Sequence, residues 1–412
     1  MCAGFGTPTH ESRFFLELAL TSSPKHAPFA LRILMASCVP GRREGGVAAI
    51  IHNLSRELER RGHTVRHLFR EDLIDSKKVS ARFAELIFSM RLGKYIAQHR
   101  GEFDIVNLHA PVGFPYGLRR RLSRSRSLPP YVMTLHGLEE RRMHVMSREV
   151  RKGRAWHFSW RNRLWQRCYN LPRFRWSIRT ADGAQAMSRD VWNILQLKYN
   201  LDTDRTAYVP NGVESRFFIP RRYDNSGPLK LLYAGTWLDQ RGIFYLRDAL
   251  LRLATQLPGL TMTFAGCGCP PEVIREFFGP QLASTVVVLP VVPSGIMQEL
   301  YATHDIFLFP SLLEGLPVVL LEAMASGMTV ITTETCGMPD VVTDDFNGLL
   351  IAPADAPAIE EAVLRLAGSS ELRERLGRAA QAFMTRYTWE RSAIRLEKLF
   401  RHVIALEGQM SG

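Results

Sequence analysis

Ile306-Phe307-Leu308-Phe309-Pro310-Ser311-Leu312-Leu313-Glu314-Gly315-Leu316-Pro317-Val318-Val319-Leu320-Leu321-Glu322-Ala323-Met324-Ala325-Ser326-Gly327 is the stretch on which the fold turns. Its first four residues form an unbroken apolar run of the kind a buried parallel strand needs. Pro317 suits the first turn of a helix and Gly327 its end. The segment therefore reads as strand, loop, helix. Glu314 falls in the loop at the strand's carboxyl end, where open α/β sheets bind ligands, and Glu322 falls about one and a half turns inside the helix. The amides near Gly315 and Leu316, at the helix start, are expected to be exposed and able to face an anionic or hydroxyl-rich ligand.

The same rhythm extends to both sides. Asp224-Asn225-Ser226-Gly227-Pro228 is a linker by composition, and after it strands are expected at 229–234, 260–265, 285–289, 305–309, 328–332 and 348–351. Helices are expected at 242–255, 271–278, 294–302, 317–326 and from about 357 onward. Upstream, Leu31 to Ala36 is a strand candidate, followed by a loop ending in Gly45-Gly46 and a periodic stretch from Val47 to Leu58. Further strands are expected at His63–Phe69, Asp104–Leu108, Tyr131–Leu135 and Ala184–Met187, with a helix over 81–98 and Ser188 as a helix cap. Alternation of this kind in both halves predicts an α/β chain of two Rossmann-like, doubly wound domains facing a cleft.

The chain has 412 residues, enough for two such domains, and 46% apolar content suits a globular protein. Residues 1–29 read as a loose tail, 30–223 as the first domain, 224–385 as the second, and 386–412 as a helix returning to the first. Six scattered cysteines point to a reducing compartment. Cys267 and Cys269 have one residue between them, fewer than zinc ligand pairs use. The beginning lacks a signal-peptide pattern, because Glu17 interrupts its apolar stretch, so a cytoplasmic location is expected.

Net charge is +13, and residues 119–179 alone hold 17 Arg and Lys against Glu139, Glu140 and Glu149. Such a local field attracts phosphate-rich partners. Within it, Trp156, Trp160, Leu164 and Cys168 fall at helical spacing before Pro172, which is expected to break the pattern. A helix lying on an anionic membrane with its arginines snorkelling is one reading, and a core-packed helix with a solvated basic face is another. Nucleic acid would also suit aromatics among arginines, but no nucleic-acid module accompanies them.

The 310–327 segment closely resembles the signature of the family 4 retaining glycosyltransferases, in which two glutamates with seven residues between them follow Pro-Ser and precede Glu-Ala-Met-Ala-x-Gly. The resemblance runs from about residue 31 to 395 and implies the two-Rossmann-domain GT-B fold. It implies that Glu314 lies against the donor sugar near the reacting carbon and that Glu322 holds the ribose hydroxyls. Gly45-Gly46-Val47 is similar to the family's glycine loop, whose backbone N–H groups approach the donor phosphate. Arg61-Gly62-His63-Thr64-Val65 and Val209-Pro210-Asn211-Gly212-Val213 match its Gly-His-x-Val turn and its hinge, and Tyr387-Thr388-Trp389-Glu390 resembles its terminal segment. Thr134-Leu135-His136-Gly137 resembles a stretch whose histidine faces the cleft. His109 ends the preceding strand in a comparable place and is an acceptor-side candidate.

Ala234 to Gly242 corresponds to the family's Gly-Arg-x-x-x-x-Lys-Gly stretch, whose two cations neutralise the leaving diphosphate. Arg241 stands for the lysine and can grip phosphate bidentately, whereas Thr236 occupies the arginine position and carries no charge. What the resemblance implies is retaining transfer of a hexosyl group from a UDP- or GDP-sugar to a glycan or lipid-linked acceptor. It implies no cofactor and no metal. Asp202 and Asp204 form an Asp-x-Asp, but in a polar stretch rather than after a strand, and Asp344-Asp345 reads as a turn. Two alternatives stay open: a nucleotide-sugar epimerase on the same fold, and a non-catalytic scaffold or binding subunit, the latter motivated by Thr236.

Overall fold

The computed structural model describes residues 29–42, 46–75, 79–123, 128–156, 158–223 and 227–409. Most of the tail, Gly45 and most of the composition-defined linker lie outside these residues. The chain forms two six-stranded sheets, each entirely parallel.

The first sheet has the order β2-β1-β3-β4-β5-β6. Its elements run β1 (Arg32–Ala36), α1 (Gly46–Arg60), β2 (Thr64–Leu68), a short α2 (Arg70–Leu73), α3 (Ala81–Gln98), β3 (Ile105–His109), α4 (Phe114–Leu122) and β4 (Tyr131–Leu135). They continue with α5 (Glu139–Arg151), α6 (Trp160–Trp165), a π-turn (Gln166–Asn170), α7 (Leu171–Thr180), β5 (Gly183–Ala186), α8 (Arg189–Leu197) and β6 (Thr206–Tyr208). Strands β3, β4 and β5 are buried along their whole length, and the polar Asn107 and Gln185 within them are hydrogen-bonded to β4. Ser188 caps α8 by accepting from the Val191 amide. The Gly-His turn is structural: His63 Nδ1 accepts from the Leu31 amide at 3.1 Å.

The second sheet contains β7 (Lys230–Ala234), β8 (Thr261–Ala265), β9 (Val286–Leu289), β10 (Ile306–Phe309), β11 (Thr329–Thr333) and β12 (Leu349–Ile351). Its order is β12-β11-β10-β7-β8-β9. Helices α9 (Ile243–Gln256), α10 (Pro271–Phe278), α11 (Ser294–Thr303), α12 (Val318–Ala325), α13 (Ala356–Ala367) and α14 (Ser370–Met384) cover it. Counted within this domain, the strand order is 3-2-1-4-5-6, the doubly wound arrangement whose switch point, here between β7 and β10, opens a crevice at the strands' carboxyl ends.

The last helix, α15 (Trp389–Gln409), returns to the first domain and packs against α1. Arg61 pairs with Glu397 at 2.6 Å, and Ser392 Oγ donates to the Pro210 carbonyl at 2.7 Å. A Cβ on Gly212 would lie 2.3 Å from the Trp389 nitrogen, so glycine is what lets the hinge and this helix touch.

The basic segment departs from its reading. Pro172 breaks nothing: the chain passes from α6 through the π-turn into α7, with Pro172 in that helix's first turn. The missing N–H and the ring are accommodated by the widened π-turn, where the Leu171 amide donates to the Gln166 carbonyl. Nor does Trp156 share a helix face with Trp160. Ser159 caps α6 by accepting from the Asn162 amide, so the helix starts at Trp160, while Trp156 packs edge-on against Phe244 and Phe277 of the second domain.

Candidate active site

The switch point of the second sheet brings two sequence-selected residues together. The turn after β7 runs through a short 3-10 helix, Asp239–Arg241, into Gly242 and α9. Gly242 has φ +74°, and a Cβ there would lie 2.0 Å from the Pro310 carbonyl oxygen, so only glycine lets this turn lie against the loop that follows β10. That loop carries Glu314, and Arg241 and Glu314 form an ion pair. The guanidinium also lies over the Phe309 ring, 5.1 Å from its centroid. Burial lowers its pKa, and Nε has no hydrogen-bond partner among the described residues. An enclosed guanidinium with an unused N–H beside a carboxylate suits an anion that carries hydroxyls next to it.

Glu322 sits five residues into α12 and accepts from Tyr301 Oη at 2.9 Å. Burial raises its pKa to about 7. This carboxylate is held ready to accept further hydrogen bonds but pays for its enclosure by taking up a proton near neutrality.

Across the cleft, the ends of β3 and β4 set two histidines side by side. His109 Nδ1 lies 2.8 Å from His136 Nε2, and the rings stack with centroids 5.0 Å apart. Burial lowers His136 to about 4, and burial plus the neighbouring His136 lowers His109 further below its usual range. Both rings are neutral at pH 7. His109 Nε2 is buried without a partner among the described residues, and an orphaned acceptor there is less costly than an orphaned N–H. The proton between the rings therefore belongs to His109, which donates from Nδ1 to His136. His136 keeps an N–H on its own Nδ1.

Gly46 opens α1 with φ +64°, and a Cβ there would meet nothing within 4 Å, leaving its backbone open to a ligand. In Gly315 and Leu316 it is the carbonyls that the protein engages. Both residues are buried, because Gly315 is pressed against the His136 carbonyl and accepts from the Gly337 amide at 2.9 Å, while the Leu316 carbonyl accepts from Asn211 Nδ2 at 2.7 Å. Thr236 is exposed.

Sequence reasoning missed two contributors. Tyr301, which holds Glu322, lies 21 residues away in a different helix. Gln240 receives Arg142 Nε on its side chain at 3.0 Å, while its carbonyl accepts from the Leu312 amide at 2.8 Å, tying both domains to the Glu314 loop. Tyr301 carries no local signal, and Gln240, although it adjoins Arg241, shows nothing in the sequence of its bonds to Arg142 and Leu312.

Two family models match: "Glycosyltransferase Family 4" over residues 44–217 and "Glycosyl transferases group 1" over 228–369. The chain belongs to the family 4 glycosyltransferases. An uncharacterized glycosyltransferase of Methanocaldococcus jannaschii is 24% identical to this transferase, covering 77% of this chain and 80% of that one. A putative colanic acid biosynthesis glycosyltransferase of Escherichia coli is 25% identical, covering 80% and 75%. Among solved structures, sucrose-phosphate synthase from Thermosynechococcus elongatus superimposes with a TM-score of 0.72 at 18% identity, over 91% of this chain and 99% of that one. WaaG, a glycosyltransferase involved in lipopolysaccharide biosynthesis, gives 0.67 at 18% identity over 88% and 98%. These likenesses establish the GT-B fold.

Part of the basic segment of the transferase is engaged within the protein, while Arg119, Arg121, Arg148, Arg151, Arg161, Arg167 and Arg179 are exposed. Arg120 pairs with Asp182 and Glu407, Arg173 with Glu85, Arg141 with Asp190, and Arg154 with Asp248. Trp160, Leu164 and Trp176 remain exposed. Among the described residues, no helix is long and apolar enough to cross a membrane.

Proposed function

We propose that this glycosyltransferase moves a hexosyl group, with retention of configuration, from a UDP- or GDP-sugar to a glycan or lipid-linked acceptor in polysaccharide or glycolipid assembly. The observation that carries the proposal is the Arg241–Glu314 ion pair at the switch point between β7 and β10. On this reading the diphosphate takes Arg241, Glu314 is released to the sugar, Glu322 accepts from the ribose hydroxyls, and Gly46 lets backbone approach the phosphate. The acceptor oxygen bonds to the anomeric carbon as the carbon–phosphate oxygen bond breaks on the same face, and the acceptor proton passes to the departing diphosphate. His136 Nδ1–H donates to a sugar hydroxyl, and His109 fixes its tautomer. Such a reaction asks the protein for positioning and charge stabilisation and calls for no resident metal.

Trp160, Leu164 and Trp176, set among arginines, support docking on an anionic membrane surface, where a lipid-linked acceptor would be found. A panel of UDP- and GDP-sugars tests the donor assignment, since a ligand that binds only the folded state raises its melting temperature. Proton NMR of the first product formed then reports its anomeric configuration. Stabilisation by one base and a product of the donor's configuration are expected. An inverted product, or isomerisation of the donor alone, overturns the reading.

A further inference from the structure

Helix α5 begins at Glu139, three residues after His136, and its far end crosses onto the second domain. Gly153, with φ +71°, turns the chain out of the helix so that residues 152–156 run along α9. Glu149 is 3% exposed and accepts from Tyr245 Oη at 2.7 Å. Lys152 Nζ lies 3.1 Å from Glu149 and donates to Tyr245 Oη at 2.9 Å, which closes a three-residue ring across the domain boundary. Arg154 pairs with Asp248 at 2.8 Å and lies over the Tyr245 ring, 4.4 Å from its centroid. Trp156 covers the end of this row against Phe244 and Phe277. Nearer the start of α5, Arg142 reaches Gln240.

The placement gives these contacts a consequence. α9 starts at Ile243, two residues after Arg241, and α5 starts just after His136. The far end of α5 and the residues that follow it therefore grip the first two turns of α9, whose root carries Arg241, while the root of α5 carries His136. Glu149 has a partner in each domain, Lys152 in its own and Tyr245 in the other; parting the domains leaves it with Lys152 and water and takes from Tyr245 its acceptor.

We infer that the α5–α9 seam is the latch of the closed cleft, with Glu149 and Tyr245 as positioning residues that hold His136 and Arg241 in register. The functional consequence rests on the transfer reaction proposed above, but the latch itself is a property of the protein without ligand. Sugar transfer would require the seam engaged, and release of the nucleotide would require it to part.

The test uses the full chain. Small-angle scattering of the ligand-free protein and a spin-label distance between the domains are measured for wild type, Tyr245→Phe, Glu149→Gln and Arg154→Asp, and for Arg154→Asp combined with Asp248→Arg. Each single change is expected to lengthen the interdomain distance distribution, and the charge-reversed pair to restore it. Hydrolysis of UDP-glucose and GDP-mannose is followed in parallel; at least a tenfold loss of kcat is expected, with KM within threefold. If the buried substitutions fail to fold, the solvent-side Arg154 pair still decides. Unchanged distances in all single variants, or failure of the reversed pair to restore them, overturn the latch. Absence of hydrolysis by wild type counts against the transfer reading and leaves the distance result intact.

Discussion

Gly315 and His136 meet backbone to backbone across the cleft: a Cβ placed on Gly315 would lie 2.1 Å from the His136 carbonyl oxygen. No flexible side chain stands between them to give way. Gly315→Ala is therefore expected to hold the domains slightly apart while leaving each domain folded. A misplacement of about 1 Å at a site that works by positioning costs on the order of 100-fold, so kcat should fall by at least that factor. UDP and GDP affinity should change less than threefold, as measured by calorimetry.

How much of this was readable beforehand differs by element. Strands β1, β3, β4 and β7 through β12 were legible as short, mostly apolar runs between turn signals, the pattern of largely buried parallel strands. β6 was missed: Thr206-Ala207-Tyr208 is three residues long, half polar, and pairs only with β5 at the sheet edge. Glu314, Glu322 and Arg241 were selected through the family resemblance of their segments, Glu314 and Arg241 in turns after strands and Glu322 inside α12. Their supports were not: Tyr301 reaches Glu322 from another helix, and the bonds of Gln240, next to Arg241, run to Arg142 and Leu312, which are distant in sequence. The helical reading of Trp156 failed for a related reason: its spacing to Trp160 is helical, but the cap at Ser159 and the aromatic cluster of the second domain determine its place.

Glu322, raised to about 7 by burial, gives donor binding a pH dependence. The ribose hydroxyls need the ionised carboxylate as acceptor, so affinity for the nucleotide sugar should fall by about tenfold between pH 8 and pH 6. Glu322→Gln should bind more weakly at pH 8 and show a flat profile. The stability sign is opposite. The folded state holds the proton more tightly than the unfolded one, so the wild type loses stability relative to Glu322→Gln as pH rises from about 4.5 to 7, measured by thermal melting without ligand.

The neutral histidine pair adds an acid-sensitive contribution. The folded-state pKa values of His109 and His136 lie below their unfolded values, so this contribution is fully present above about 6.5 and is lost as pH falls through the folded values, near 4 for His136. The melting temperature of the wild type should drop more steeply over that interval than that of His109→Gln/His136→Asn. Equal slopes would mean that the pair is already protonated in the folded protein.

Membrane docking by the basic segment depends on screening. Vesicles containing about one-third anionic lipid should float the protein at roughly 50 mM salt and release it by about 500 mM, where the Debye length falls to a few ångströms. Trp160→Ala with Trp176→Ala should weaken flotation at low salt without changing donor hydrolysis. Equal flotation with neutral vesicles would remove the electrostatic account.

The Arg241–Glu314 ion pair makes the most direct demand on the whole reading, because its two members should respond in opposite directions. Glu314→Gln frees a guanidinium for phosphate, so UDP or GDP should bind at least as tightly as to wild type while sugar transfer falls by about 10²–10⁴-fold. Arg241→Ala removes a charge-assisted phosphate contact and leaves Glu314 unpaired, so nucleotide affinity should fall by about 10–100-fold. Calorimetric titration of UDP and GDP into these two variants and wild type is the deciding measurement. Opposite shifts are the predicted result; equal losses in both variants, or binding of neither nucleotide to wild type, would contradict the account.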